Sequence, residues 1–120
     1  MFLGQLETVA AGFEAALTAL RSAVPRWPAA LAEEAGCIEA AAIHYASVAN
    51  QARFVMARKV GDRESVRRIA RAESVLAVRM HALQSRDARF GFEASNQYFY
   101  TPLDLVEKVV NAEWVERGER

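Results

Sequence analysis

Apolar residues recur at steps of three and four along most of this chain, the spacing that gathers them on one side of an α-helix. In the first segment Leu6, Val9, Phe13, Leu17, Leu20 and Val24 follow that rule and leave Glu7, Glu14 and Arg21 off the stripe, predicting a helix over about 5–24. Pro25 ends it because proline cannot continue the hydrogen-bond ladder, and Pro28 suits the first turn of the next helix, with Trp27 packing over the junction. Leu31, Ala35, Ile38, Ala42, Tyr45, Val48, Ala52 and Val55 then mark a second helix over about 28–59, a rod of roughly 45 to 50 Å. Its many alanines favour the helix and let a neighbour approach closely, while Gly36 is a weak point in it.

Gly61 follows a basic last turn, and Asp62 is placed to cap a third helix over about 63–85, whose apolar stripe is Val66, Ile69, Leu76, Met80 and Leu83. Near the C-terminus Thr101, Pro102 and Asp104 form a helix start: an N-cap, a proline at the first helical position, and an acid in the first turn. The helix that follows is predicted over about 102–115, with Leu103, Val106, Val110 and Trp114 as its buried stripe. Strand alternation of useful length is missing, and so is any repeat of fixed period. The expected fold is therefore all-α, a single domain over 1–120 built as an up-down bundle of three long helices plus a shorter C-terminal one.

Composition bounds this picture rather than changing it. An apolar share of 52% and a charged share of 25% suit a globular domain and argue against extended disorder. At 120 residues the chain can bury a core without staples but is too short for a catalytic barrel or a doubly wound sheet. The formal net charge of zero hides an uneven layout: about −3 over 1–52, about +6 over 53–89 and about −3 over 90–120. Cys37 is the lone cysteine, so no internal disulfide can form. The N-terminus lacks a basic signal-peptide region and no uncharged apolar run reaches eighteen residues, so neither a leader nor a membrane span is expected, and the default compartment is the cytoplasm.

Glu and His at the matched spacings of a bundle metal site do not occur, so no metal and no cofactor is expected. His44 and His81 read as polar groups on helix flanks, and Cys37 as a small buried filler. The arginines of 66–89 could face phosphate, but nucleic-acid binders carry net positive charge over the domain, and here the acidic ends cancel it. A solvated face paired with Glu64, Glu73 and the glutamates of the second helix is the expectation, without nucleic acid as a partner.

The segment RFGFEASNQYFYTP at 89–102 stands apart, with nearly half of the aromatic residues crowded into it. Phe90, Phe92 and Phe99 could simply seal the end of the bundle. Glu93, Ser95, Asn96, Gln97, Tyr98 and Tyr100 instead set hydrogen-bonding groups beside flat faces, a mixture suited to a sugar ring. Either reading expects an ordered loop over 87–101.

The stretch from Ser85 to Pro102, together with NQARFVMARKV before it, resembles the C-terminal helical region of large bacterial proteins of glycoside-hydrolase type. The resemblance spans roughly 40 to 115 and rests on one motif like SRxGFEASNxYFYTP. It implies an accessory module that contributes to or braces a sugar-binding surface, with carbohydrate as ligand and a catalytic domain as partner. In that picture Tyr98 and Tyr100 stack on the sugar, Asn96, Gln97 and Glu93 bind its hydroxyls, and Arg86 and Arg89 orient the acid. Glycoside hydrolysis needs two carboxylates held across the bond. Glu93 is the only carboxylate within the distinctive loop, so no catalytic residue is assigned and the isolated chain is not expected to hydrolyse sugars. The alternative is a structural module whose helices dock a partner helix or a second copy, without a small-molecule ligand.

Overall fold

The computed structural model describes residues 2–23, 28–90, 92–93, 98–99 and 101–118, with the backbone alone at 29–30, 92–93 and 98–99. Its elements are α1 (Phe2–Ala23), α2 (Ala29–Val60), α3 (Arg63–Arg86), β1 (Phe92–Glu93), β2 (Tyr98–Phe99) and α4 (Pro102–Arg117). The architecture is an all-α bundle. Its one sheet element is a two-residue antiparallel ladder that pairs Phe92 with Phe99 and Glu93 with Tyr98. Trp27 and Val24, expected at the first junction, lie outside the described residues.

Local chemistry accounts for the helix ends. The Asp62 carboxylate accepts from the Ser65 N–H at 3.0 Å, and Gly61 takes the left-handed conformation (φ 75°) that closes α2 and frees the chain to turn into α3. At α4 the Thr101 hydroxyl accepts from the Asp104 N–H, while the Asp104 carboxylate accepts from the Thr101 N–H at 2.8 Å, a complete capping box with Pro102 in the first turn.

Cross-helix pairs define how the helices run. Arg21, late in α1, meets Glu39 early in α2, whereas Arg53, late in α2, meets Glu7 early in α1. Glu39 also meets Arg79 late in α3, and Asn50 further along α2 meets Glu73 earlier in α3. Arg71 then meets Glu116 near the end of α4, while Leu83 and Leu105 share one cluster near its start. Each helix is thus antiparallel to its sequence neighbour. Among the described residues close backbone packing joins α1 to α2, α2 to α3 and α3 to α4 only.

The core lies between α2, α3 and α4, where Ile43, Ala77, Met80, Leu83 and Leu105 form one cluster with Ala40, Leu76, Phe90 and Val109 against it. The α3 stripe faces inward as its spacing predicts: Ile69, Met80 and Leu83 are buried, Val66 and Leu76 half-buried. α2, flanked on two sides, buries polar residues as well, namely Glu39, Ser47 and Asn50. Three expectations are corrected. Cys37 is exposed, because it lies off both packed faces of α2. The stripe Leu103, Val106, Val110 and Trp114 of α4 points outward, at 66%, 49%, 61% and 45% exposure, while Leu105 and Ala112 face the core. Gly36 is a point of close approach rather than only a weak one: a Cβ there would lie 2.5 Å from the Phe90 ring.

That last contact gives a direct check. Gly36→Ala raises intrinsic helix propensity by about 1 kcal/mol, yet it must displace Phe90 from the α2–α3 end. Overpacking of this kind costs about 1–3 kcal/mol. Chemical denaturation is expected to show no net gain in stability for Gly36→Ala, and a clear gain in the Gly36→Ala, Phe90→Ala pair relative to Phe90→Ala alone.

Candidate functional site

Two polar nodes organise the bundle interior. Glu73 on α3 is largely covered, and its carboxylate accepts from Asn50 Nδ2 at 2.7 Å and from the Ser47 hydroxyl at 2.8 Å, both on α2. Lys108 on α4 reaches the same carboxylate at 2.6 Å and donates to Ser47 Oγ at 2.8 Å. Arg53 donates to Asn50 Oδ1 at 2.9 Å and to Glu7, which extends the network to α1. The second node is Glu39, which pairs with Arg21 of α1 at 2.8 Å and Arg79 of α3 at 3.3 Å. Every buried charge here has an opposite charge and further hydrogen bonds, the condition under which buried ions are tolerated. Glu73 thus meets a lysine and two neutral donors rather than the arginines expected of it, and Glu39 takes the arginine.

The sequence-predicted ligand residues cluster at the α3–α4 connection. The ladder sets Glu93 and Tyr98 opposite each other in register. Asn96, Gln97 and Tyr100 lie outside the described residues. Arg89 pairs with Asp87 and, at 3.4 Å, with Glu33, while Arg86 donates to the Ala82 carbonyl of its own helix; the side chain of Glu93, which both are expected to orient, lies outside the described residues. Arg86 and Phe90 line a cleft of about 440 Å³ together with Arg21, Glu33, Glu39 and Leu83. With Asp87 also on its wall, three carboxylates and two guanidinium groups lie beside an aromatic ring, a set that can bind a hydroxylated ligand. The sequence reading missed Glu33 and Glu39 because they sit about fifty residues upstream of the loop, and only the antiparallel pairing of α2 with α3 brings them to it.

Hydrogen bonds shift three carboxyl groups. Asp87 is lowered to about 2 by hydrogen bonds from the Arg89 side chain and backbone, and that same pairing raises Arg89 further. Asp104 is lowered by the Thr101 hydroxyl and amide, and Asp62 by its contacts with Ser65. Among the described residues no group of three or more His, Cys, Asp or Glu is placed to hold a metal ion, and no helix is long and apolar enough to cross a membrane. His44 is exposed and sits edge-on to the Tyr45 ring, which in turn stacks on Phe13.

The other candidate surface is the outer face of α4. Among the described residues each terminal helix has close backbone packing with one neighbour only, but the two treat the open side differently. α1 turns Thr8, Ala11, Gly12, Ala15, Thr18 and Ala19 outward together with Phe2 and Val9, whereas α4 turns out the continuous stripe of Leu103, Val106, Val110 and Trp114. Val75 and Val78 of the adjoining α3 are exposed as well. The fold and these surfaces define a small α-helical bundle with an apolar outer face on α4, and Val55, Met56 and Val60 of α2 are exposed too. Comparison with family models, with characterised proteins and with solved structures finds no match for this chain.

The Asp87–Arg89 contact carries a pH dependence with a definite sign. A carboxyl whose folded pKa lies below its unfolded value stabilises the fold above the unfolded value and loses that contribution as pH falls through the folded one. For Asp87 the window runs from 3.8 down to about 2. Carboxyl-carbon NMR titration is expected to place its midpoint near the lower figure in wild type and between the two in Arg89→Ala, where the backbone N–H of residue 89 still donates. A wild-type midpoint close to the ordinary aspartate value would contradict the pairing.

Proposed function

We propose that this chain is a helical interaction module that associates with a second copy of itself through α4. The observation that carries the reading is the outward stripe of Leu103, Val106, Val110 and Trp114 on a helix whose other face is already packed. Steps of three and four along one helix make a seam that a symmetry-related helix can interdigitate with. Contiguous exposed apolar surface of this kind marks association sites. The net charge of zero adds no overall electrostatic repulsion between copies. In this reading the three longer helices form an up-down support, and the shorter α4 is the docking element.

The reading is checked by mass measurement in solution. Sedimentation equilibrium is expected to show a dimer for wild type across the micromolar range. Val106→Glu, Val110→Glu should give a monomer with unchanged far-ultraviolet circular dichroism. A wild type that stays monomeric, or a double variant that stays dimeric, would overturn it.

A second reading follows the loop and the glycoside-hydrolase resemblance: an accessory module with a sugar-binding surface completed by a catalytic domain. It is favoured by the cleft of about 440 Å³ that meets the loop at Phe90 and by the pairing of Glu93 with Tyr98. Glycan-array binding by wild type, lost in Asn96→Ala, Tyr98→Ala with helicity retained, would support it. Equal binding by the variant would remove it.

A further inference from the structure

The end of the bundle opposite that cleft, where α2 ends, α3 begins and α4 ends, holds a second and larger one. It has a volume of about 620 Å³ and is lined by Phe54, Arg58, Arg63, Arg67, Val66 and Trp114, among others. That volume is within the range of small-molecule sites. The lining combines two chemistries. Phe54, Val66 and Trp114 give apolar and aromatic surface, while three guanidinium groups converge from two helices.

Those three arginines line one cleft and share, among the described residues, the lack of a carboxylate partner, which Arg68 and Arg86 show singly elsewhere on the surface. Arg21, Arg53, Arg71, Arg79, Arg89 and Arg117 each face a carboxylate. Among the described residues Arg58, Arg63 and Arg67 face none. Arg58 instead lies over the Phe54 ring, 5.7 Å from its centroid. Arg67 reaches to the end of α4, where its Nη2 would lie 3.0 Å from a Cβ at Gly118, so the glycine leaves the guanidinium its place. Arg63 and Arg67 are four residues apart and share one side of α3, where like charges repel without an anion between them.

We infer that this cleft binds a small organic polyanion bearing a flat ring, with Arg58, Arg63 and Arg67 holding the anionic groups and Trp114 the ring. Guanidinium groups suit phosphate oxygens because their planar donors bind two at once. An indole beside them supplies a stacking surface, which strengthens binding of any planar ring without selecting its identity. A ligand of this size needs only local positive charge, so the balanced charge of the whole chain does not oppose it. The three arginines lie outside the α4 stripe, whereas Trp114 contributes to both surfaces.

Isothermal titration calorimetry with three probes separates the parts: ATP for ring and polyphosphate together, tripolyphosphate for the anion alone, and adenosine for the ring alone. ATP is expected to bind most tightly and adenosine least. Arg63→Gln, Arg67→Gln should weaken ATP by about tenfold or more, since two charge-assisted contacts are lost. Trp114→Leu keeps an apolar side chain on α4 while removing the aromatic plane, and it should weaken ATP by about fivefold or more with tripolyphosphate unchanged. Circular dichroism and sedimentation of each variant keep loss of fold or of association separate from loss of the site. Absence of ATP binding, binding no tighter than tripolyphosphate, or affinity unchanged in either folded variant would overturn the inference.

Discussion

The arrangement of the bundle depends on one charged contact. Glu73 of α3 is surrounded by Asn50 and Ser47 of α2 and by Lys108 of α4, so a single carboxylate ties three helices together. Its position allows little variation. A carboxylate that is largely removed from water needs its oxygens satisfied, and each donor here comes from a different turn or a different helix. Sliding α4 by one turn, or rotating it, would leave Glu73 without its cation and Lys108 without its acceptor. Such a contact contributes more to choosing one arrangement than to net stability, since desolvation offsets much of the Coulombic gain.

The rotation of α4 has consequences at the surface. With Lys108, Leu105 and Ala112 directed inward, the stripe of Leu103, Val106, Val110 and Trp114 is directed outward. α4 carries two apolar stripes, and the polar node selects which one meets the core. The outward stripe supports the proposed self-association. Its last member, Trp114, is brought to the junction of three helix ends beside Arg58, Arg63 and Arg67. At the far end of the bundle Gly36 lets Phe90 sit against α2, which anchors the start of the loop where the sequence concentrates its aromatic residues.

Much of this was legible from sequence because it is local. The Thr101–Pro102–Asp104 start and the Gly61–Asp62 stop-and-start are set by residues within one turn of each other, and both are formed. The α3 stripe was legible because that helix has a strongly one-sided pattern. α4 misled for a physical reason: both of its apolar sets have helical spacing, and the sequence does not say that Lys108 would be held inside by a residue thirty-five positions earlier. Ser47 and Asn50 were passed over as polar positions of a long helix, and the pairing of second-helix glutamates with α3 arginines, formed at Glu39, was expected on a solvated face, because burial of polar side chains follows from partners on other helices. Cys37 failed likewise, since an alanine-rich helix flanked on two sides still keeps an outer side.

The most direct test of the account is a double-mutant cycle on Glu73→Gln and Lys108→Met, read by reversible urea unfolding. If the pair sets the seat of α4, each single variant leaves one charge without its partner, and the two changes together should cost less than the sum of the singles by about 1 kcal/mol or more. Additive effects within about 0.5 kcal/mol would mean that the contact does not determine how α4 is seated, and the assignment of its outer face would lose its physical basis.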